Sequence, residues 1–293
     1  MMRFPLLSFL LLFHLAIASE LRFCSWNLNN FFLKQPVAPN GEPLARVKIK
    51  PEKEVKAVIE TINKIKPDVI GLSELGHQDE LIFLQQKLKE VGADYPYTSS
   101  TSGSDLFRSI AILSKYPITQ TVKPRKLVFH SGKQNQTIRR GFLSTKIETP
   151  LGSIHFVGCH LKSKRPMNSD SEHNVRYGEA LRLRDHLLDI LNKNTKEKLI
   201  VYGDFNDTRN SAVIRLIGGK IGHHTRLTKL PLKSSNHTYW THHWKSEDVY
   251  SRFDYIFLSE SLKKRYLKAS SYIASDTLWH LASDHRPLLL TLE

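Results

Sequence analysis

The sequence predicts one α/β domain built on mixed sheets. Three observations predict it. Apolar strand-like runs and amphipathic helices alternate from residue 21 to the end. No low-complexity linker or solenoid-period repeat divides them. A short link near 148–152 joins two strands, and so short a connection returns the chain antiparallel.

The elements follow in order. LRFCSWNL (21–28) reads as the first strand. EKEVKAVIETINKI (52–65) sets Val55, Val58, Ile59, Ile62 and Ile65 on one helical face, and Lys66-Pro67-Asp68 ends it. DVIGLSE (68–74) is a buried strand. Residues 79–91 form a second helix, with Leu81, Leu84, Leu88 and Val91 aligned. Strand runs follow at 109–114, 142–147 and 153–160. A long helix covers about 172–192, on which Arg176, Arg182 and Arg184 are expected to meet solvent. KLIVYG (198–203), FDYIFLS (253–259) and PLLLTL (287–292) complete the strands.

The chain has 293 residues, 40% of them apolar, enough for one large core or two small ones. Residues 1–18 read as a signal peptide, which predicts a secreted or periplasmic protein and leaves 19–293 as the mature domain. Arg3 gives a positive start, Phe4 to Ala18 is mostly apolar, and Ala16-Ile17-Ala18 fits a cleavage site. A membrane anchor or a buried strand is the other reading. It is disfavoured because a spanning helix needs roughly 20 residues. Pro5, Ser8 and His14 also interrupt the run. Removing the segment takes one arginine and no acid, so the net charge falls from +15 to +14. Such an excess suits polyanions: nucleic acid, anionic membrane surfaces or phosphorylated glycans. A generally basic, soluble surface has the same composition. Cys24 and Cys159 lie in strand-like runs, where a disulfide or two buried thiols fit equally. Asn135, Asn206 and Asn236 each head an N-x-T triplet.

Polar residues recur where buried strands end. Asn27 closes the first strand and Glu74 the second. His160 closes IHFVGCH, and Asp204 and Asn206 follow IVYG. Asp254 lies in RFDYIF, and Asp284 and His285 precede the last strand. In α/β sheets ligands bind at strand ends, because a rigid sheet fixes the side chains there. Taken singly, each has an ordinary structural reading: GDFND is rich in turn formers, a strand-end Glu caps helices, and a lone His is commonly just hydrogen-bonded. The combination is more specific.

The ordered motifs SWNLNN, GLSELG, SIAILSKYPI, CHLKSK, VYGDFND, RFDYIFLS and SDHRPL resemble the endonuclease/exonuclease/phosphatase superfamily. The resemblance runs from Leu21 to Glu293, and GDFND with the terminal SDHRP carries most of its specificity. The superfamily includes pancreatic-type deoxyribonucleases, abasic-site endonucleases, bacterial sphingomyelinases and inositol polyphosphate phosphatases. The resemblance implies a four-layer α/β sandwich: two mixed β-sheets packed face to face, with helices on the outside. It implies Mg²⁺ as cofactor, with Mn²⁺ or Ca²⁺ as substitutes, and no organic cofactor. A hard dication held by carboxylates neutralises the charge that grows on a phosphodiester under attack by water. The implied metal ligands are Glu74, Asn27 and Asp284. Asn29 stands where many members carry a second acid, which speaks against a second tight ion. His285 is the implied general base, with Asp254 fixing its tautomer through the other ring nitrogen. Asp204 and Asn206 would orient the water and a phosphoryl oxygen, and Asp204 is the alternative base. His160 would hydrogen-bond the phosphate opposite His285, and Arg140 would add a phosphate contact. The chain is expected to be a monomer.

The substrate is read from charge. From Thr208 to Ser246 there is no Asp or Glu, but there are seven Lys or Arg and five His. Tyr239, Trp240 and Trp244 are interleaved with them in HTYWTHHW. Residues 123–141 add six basic side chains and no acid. Cations grip phosphates and rings stack on bases, so nucleic acid is the expected partner. A solvated loop with its aromatics tucked inward is the competing account. THH suggests zinc, but no Cys or acid partner accompanies it locally. The expected function is a secreted Mg²⁺-dependent phosphodiesterase, foremost a nuclease. The rivals are a sphingomyelinase or phospholipase C-like enzyme acting at an anionic lipid surface, a phosphomonoesterase, and a non-enzymatic basic binding module.

Overall fold

A computed structural model describes residues 20–293, apart from 39, 45, 46, 123, 125, 126, 133 and 168–170. The proposed signal peptide lies outside the described residues, as do Lys123, Arg125, Lys126 and Lys133. The chain begins β1 (Leu21–Phe31), α1 (Glu52–Ile65), β2 (Val69–Leu75), α2 (Gln78–Glu90), β3 (Tyr97–Thr101), β4 (Ser109–Ser114) and β5 (Ile118–Val122). It continues with β6 (Val128–Ser131), β7 (Gln134–Thr137), β8 (Phe142–Thr149), β9 (Gly152–His160), α3 (Glu172–Lys193), β10 (Leu199–Asp204) and α4 (Ala212–Gly218). It ends with β11 (Leu227–Lys229), β12 (His242–Trp244), β13 (Val249–Ser251), β14 (Asp254–Ser259), α5 (Glu260–Lys263), β15 (Tyr272–Ile273), α6 (Trp279–Ala282) and β16 (Leu288–Leu292).

Two six-stranded sheets form, in the orders β15-β16-β1-β2-β4-β3 and β11-β14-β10-β9-β8-β5. Each is mixed: β1 runs parallel to β2 and β9 parallel to β10, while the other pairings are antiparallel. Strand alternation sorts the side chains into layers. Leu21, Phe23, Val69, Ile110 and Leu290 of the first sheet meet Ile154, Phe156, Ile200, Tyr202 and Ile256 of the second in one core. Cys24, Trp26, Ile70 and Leu72 point the other way, onto α1 and α2. Val157, Cys159, Val201 and Phe257 point onto α3 and α4. Helix, sheet, sheet and helix thus make the four-layer α/β sandwich.

The two cysteines are free and buried, on the outer faces of different sheets. Tyr202 spans the central layer. A Cβ at Gly71 would lie 2.0 Å from its ring and one at Gly158 2.7 Å away, so a glycine from each sheet makes room for it.

Two of the three α3 arginines depart from expectation. Arg176 and Arg184 are buried, at 2% and 7% exposure. Arg176 donates to Asp207 Oδ2 at 3.2 Å and to the Lys162 carbonyl. Arg184 donates to the carbonyls of Ile217 and Thr225. The α4 segment folds over α3, and its chain-end carbonyls need buried donors. Arg182 is half-buried and pairs with Asp185. Asn206 is also buried, which removes its N-x-T triplet as an acceptor for a bulky glycan. Among the described residues no helix is long and apolar enough to cross a membrane.

Candidate active site

The two sheets bring their strand ends together at one edge. Asn27 sits near the end of β1, Glu74 near the end of β2, His160 closes β9, Asp204 closes β10, and Asp254 opens β14. Irregular backbone aims several of these groups. The β1–β2 pairing shifts register between Asn27 and Phe31, and the β2–β4 pairing shifts between Ser73 and Leu75. Asn29, Asn30, Glu74 and Asn206 all have left-handed φ, between 50° and 58°. Asn tolerates that region; a glutamate there is uncommon and marks a conformation imposed by its surroundings. Gly203, with φ 130°, kinks β10 just before Asp204, and a Cβ there would strike the Cys159 carbonyl at 2.0 Å.

Asp204 lies at the centre of the site. Its Oδ2 accepts from Asn27 Nδ2 at 3.1 Å. The same oxygen is 3.6 Å from His160 Nε2 and 3.7 Å from His285 Nε2. Its Oδ1 accepts from the Asn206 amide at 2.8 Å. Burial, and then repulsion from Asp254, push its carboxyl up to about 7. His285 Nδ1 meets Asp254 Oδ2 at 2.8 Å. Burial opposes charging this ring, but Asp254, Asp204 and Asp284 outweigh it and raise its pKa well above the ordinary range. His160 is the opposite case: burial, then the charges of Arg140 and His285, keep it neutral. Its Nε2 stands 3.6 Å from Glu74 Oε1. The site therefore holds one charged and one neutral imidazole on either side of Asp204.

The terminal SDHRP segment works as a latch as well as a carrier of site groups. Ser283 Oγ donates to the Asn27 carbonyl and accepts from the His285 amide. Trp26 Nε1 donates to the His285 carbonyl at 2.9 Å. Thr241 Oγ1 accepts from the Asp254 amide, and the Arg286 amide donates to the Thr241 carbonyl. The Arg286 guanidinium lies 4.3 Å from the Trp240 ring centre, beneath the β12–β13 hairpin.

The structure also brings in residues that the sequence reading did not select. Arg108 donates to Asn30 Oδ1 at 2.7 Å and stands 3.9 Å from Glu74 Oε2. Arg140 is held back, its Nε facing Asp105 Oδ2 at 3.4 Å. Arg108 is thus the arginine closer to Glu74. Buried Lys50 donates to the Leu28 and Asn29 carbonyls and pairs with Glu54 at 3.5 Å. Burial lowers its pKa, against the pull of Glu54, Asp284 and Glu74. His242 Nε2 lies 3.6 Å from Asp284 Oδ2, and its ring centre is 4.7 Å from that of His285. The acid that THH lacks locally is therefore supplied from 42 residues further on.

The donor chemistry fits a hard dication. Glu74 Oε1 and Asp204 Oδ2 each stand 3.6 Å from His160 Nε2, and Asp204 Oδ2 and Asp284 Oδ1 stand 3.7 and 3.9 Å from His285 Nε2, so the three carboxylates line one region, with Asn27 beside Asp204. Four carboxylates, Glu74, Asp204, Asp254 and Asp284, crowd the site, and oxygen donors of this kind suit Mg²⁺. Glu74 is nonetheless outside the two tightest donor groups among the described residues, which are His242/Asp284/His285 and Asp204/Asp254/His285.

The model of the Endonuclease/Exonuclease/phosphatase family matches residues 24–285. No curated protein matches the chain. Solved structures similar in fold include the following three. Beta toxin from Staphylococcus aureus is 17% identical, with TM-score 0.65, covering 92% of this chain and 99% of that one. The human Nocturnin catalytic domain is 18% identical, with TM-score 0.64 and 94% of each chain covered. An endonuclease/exonuclease/phosphatase family protein from Leptotrichia buccalis is 18% identical, with TM-score 0.64, covering 93% of this chain and 99% of that one.

Proposed function

The chain belongs to the endonuclease/exonuclease/phosphatase family, and from that premise we propose a secreted Mg²⁺-dependent phosphodiesterase that hydrolyses nucleic acid. The family is one of metal-dependent phosphoric ester hydrolases. The observation that carries the reading is the buried chain Asp254–His285–Asp204, beside the region where Glu74 and Asp284 converge.

Glu74, Asn27 and Asp284 would hold the ion. When bound, it supplies a positive charge that stabilises the phosphoryl and leaving oxygens. The remaining work falls to this chain's side chains. Asp204, with a carboxyl raised to about 7, can take a proton from water near neutral pH. His285, charged and held by Asp254, faces the same carboxylate with its other ring nitrogen and stabilises it, so the proton from water goes to Asp204. The base is thus Asp204, with charged His285 as its electrostatic partner. Asn206 keeps Asp204 Oδ1 fixed through its amide, while its own Nδ2 is committed to the Leu161 carbonyl. Neutral His160 is a donor for a phosphoryl oxygen on the side away from His285. Arg140 and Arg108 both contribute positive potential beside His160, toward the phosphate. The apolar run and small-x-small site in residues 1–18 support export, with the catalytic domain over 19–293.

A second reading, a lipid phosphodiesterase, is favoured by one feature. The β12–β13 hairpin leaves Trp244 and Tyr250 at 54% and 50% exposure. Exposed Leu278 precedes α6 and exposed Leu281 lies within it, and Lys245 Nζ donates to the His280 carbonyl of the same helix. Such a surface suits a membrane as well as stacked bases.

Salt separates the two. Purified protein is assayed on plasmid, single-stranded DNA, RNA, sphingomyelin vesicles and a chromogenic phosphodiester, each with and without chelator. Each phosphate neutralised contributes a slope of about −0.9 in log K against log salt on duplex DNA. Changing Lys164 and Lys245 to Gln removes two cations near the site and should flatten the nucleic-acid slope by up to about two units. A salt-insensitive nucleic-acid reaction, or preferred turnover of sphingomyelin, would move the lipid reading ahead.

A further inference from the structure

Overlapping the expected ligand set at Asp284 alone, the structure assembles a second group of donors with different chemistry. Nε2 of His242, a carboxylate oxygen of Asp284 and a ring nitrogen of His285 lie within 4.8 Å of one another. His242 Nε2 is 3.6 Å from Asp284 Oδ2, and His285 Nε2 is 3.9 Å from Asp284 Oδ1. A zinc ion bonded at about 2.0–2.1 Å in tetrahedral geometry spaces its ligands about 3.4 Å apart. The two imidazole–carboxylate separations exceed this by about 0.2 and 0.5 Å, each to a different oxygen of Asp284, and the two ring nitrogens lie within 4.8 Å, so rotation of these side chains would have to draw the three donors together.

The frame around these donors is fixed. His242 and His285 form an antiparallel bridge, and the His243 amide donates to the Asp284 carbonyl at 2.9 Å. The His242 ring stacks on Phe253, centroids 5.3 Å apart. Behind His285, Asp254 receives Nδ1 at 2.8 Å, the carboxylate–histidine support that metal-bound imidazoles use. Two imidazoles and one carboxylate form a donor set for a borderline-soft ion, not for Mg²⁺, which prefers six oxygens. Three protein ligands leave a fourth position for water.

We propose that His242, Asp284 and His285 form a zinc-binding site that, when filled, silences the hydrolytic centre. A zinc ion on His285 Nε2 takes the place of the N–H that faces Asp204 Oδ2 at 3.7 Å, so Asp204 loses that partner. Asp284 is drawn from the magnesium set at the same time. The binding half of this proposal stands on geometry alone. The silencing half rests on the roles given above to His285 and Asp284.

The test uses the full chain without a histidine tag, in millimolar Mg²⁺. Zinc chloride is titrated calorimetrically into wild type, His242→Gln and His243→Gln. Cobalt(II) absorption reports tetrahedral coordination. Wild type should bind one equivalent. Loss of a supporting outer-shell group costs about 10–100-fold in metal affinity, so loss of the ligand in His242→Gln should cost at least about 100-fold. His243→Gln, whose ring faces Asp248 instead, should bind as wild type does. The zinc concentration that halves hydrolysis of a chromogenic phosphodiester should rise in His242→Gln by the same factor as the dissociation constant. Equal zinc affinity in wild type and His242→Gln overturns the site. Zinc seated through His242 while hydrolysis continues at saturation overturns the silencing. If no phosphodiester is hydrolysed, the function reading fails and the titration alone decides the site.

Discussion

Replacing Asp254 by Asn keeps its shape and removes its charge, isolating what Asp254 does for His285. Both groups are buried, at 2% and 5% exposure, with Oδ2 and Nδ1 2.8 Å apart. At that distance, opposite charges attract by roughly 6 kcal/mol at an effective dielectric of about 20. Desolvation cancels part of this, and breaking buried pairs typically costs about 3–5 kcal/mol. If the transition state carries the same imidazolium, kcat/KM falls by about 10² to 10⁴ at 1.36 kcal/mol per decade. His285→Ala should fall at least as far. In the His285→Ala background, Asp254→Asn should cost less than about threefold, because no ring remains to be oriented. The assay is steady-state hydrolysis of a chromogenic phosphodiester at saturating Mg²⁺, with near-ultraviolet circular dichroism to verify the fold. Losses that multiply in the double variant would falsify the pairing, since independent residues add in free energy.

Three further outcomes are expected. Glu74→Gln should abolish hydrolysis at low Mg²⁺ and recover part of it at high Mg²⁺, as chelator does in wild type; turnover unaffected by chelator would remove the metal assignment. In chelator, Asp204 should make stability fall with pH: its proton is bound more tightly in the folded chain, so the contribution is fully present below about 3.8 and is lost as pH rises through about 7. Asp204→Asn should flatten that dependence in denaturant titrations between pH 5 and 8, and an unchanged slope would rule the shifted carboxyl out. Tyr202 carries a buried hydroxyl with no hydrogen-bond partner among the described residues, so Tyr202→Phe should be neutral or stabilising by about 1–3 kcal/mol; a lower melting temperature would mean that the hydroxyl has a partner.

The sequence by itself determined the elements whose signal is local. The apolar face of residues 52–65 produced α1 at those bounds, and the buried runs at 69–75, 199–204 and 288–292 appear within a residue or two of expectation. Strand-end polar residues were visible because β-alternation breaks there: Asn27, Glu74, His160, Asp204, Asp254 and His285 meet at one edge. Short edge strands such as β3, β5, β12 and β13 were missed, since half-exposed sequences like YTSST and ITQTV carry no apolar pattern. What only the tertiary structure decided is which charges neutralise one another. Arg176 and Arg184 were assigned to solvent because helical periodicity does not reveal that Asp207 and the Lys162 carbonyl meet Arg176 and that α4 packs against Arg184. Arg108 and Lys50 were passed over because an isolated cation in sequence resembles any surface cation until the Glu74 bulge and the Asn29 turn are packed against it. His242 gains an acid only through pairing of its strand with the terminal segment. Secondary structure follows from neighbours along the chain, which sequence order records. A site follows from sheet register and loop folding across tens to hundreds of residues, and there the low dielectric between packed layers decides which contacts count.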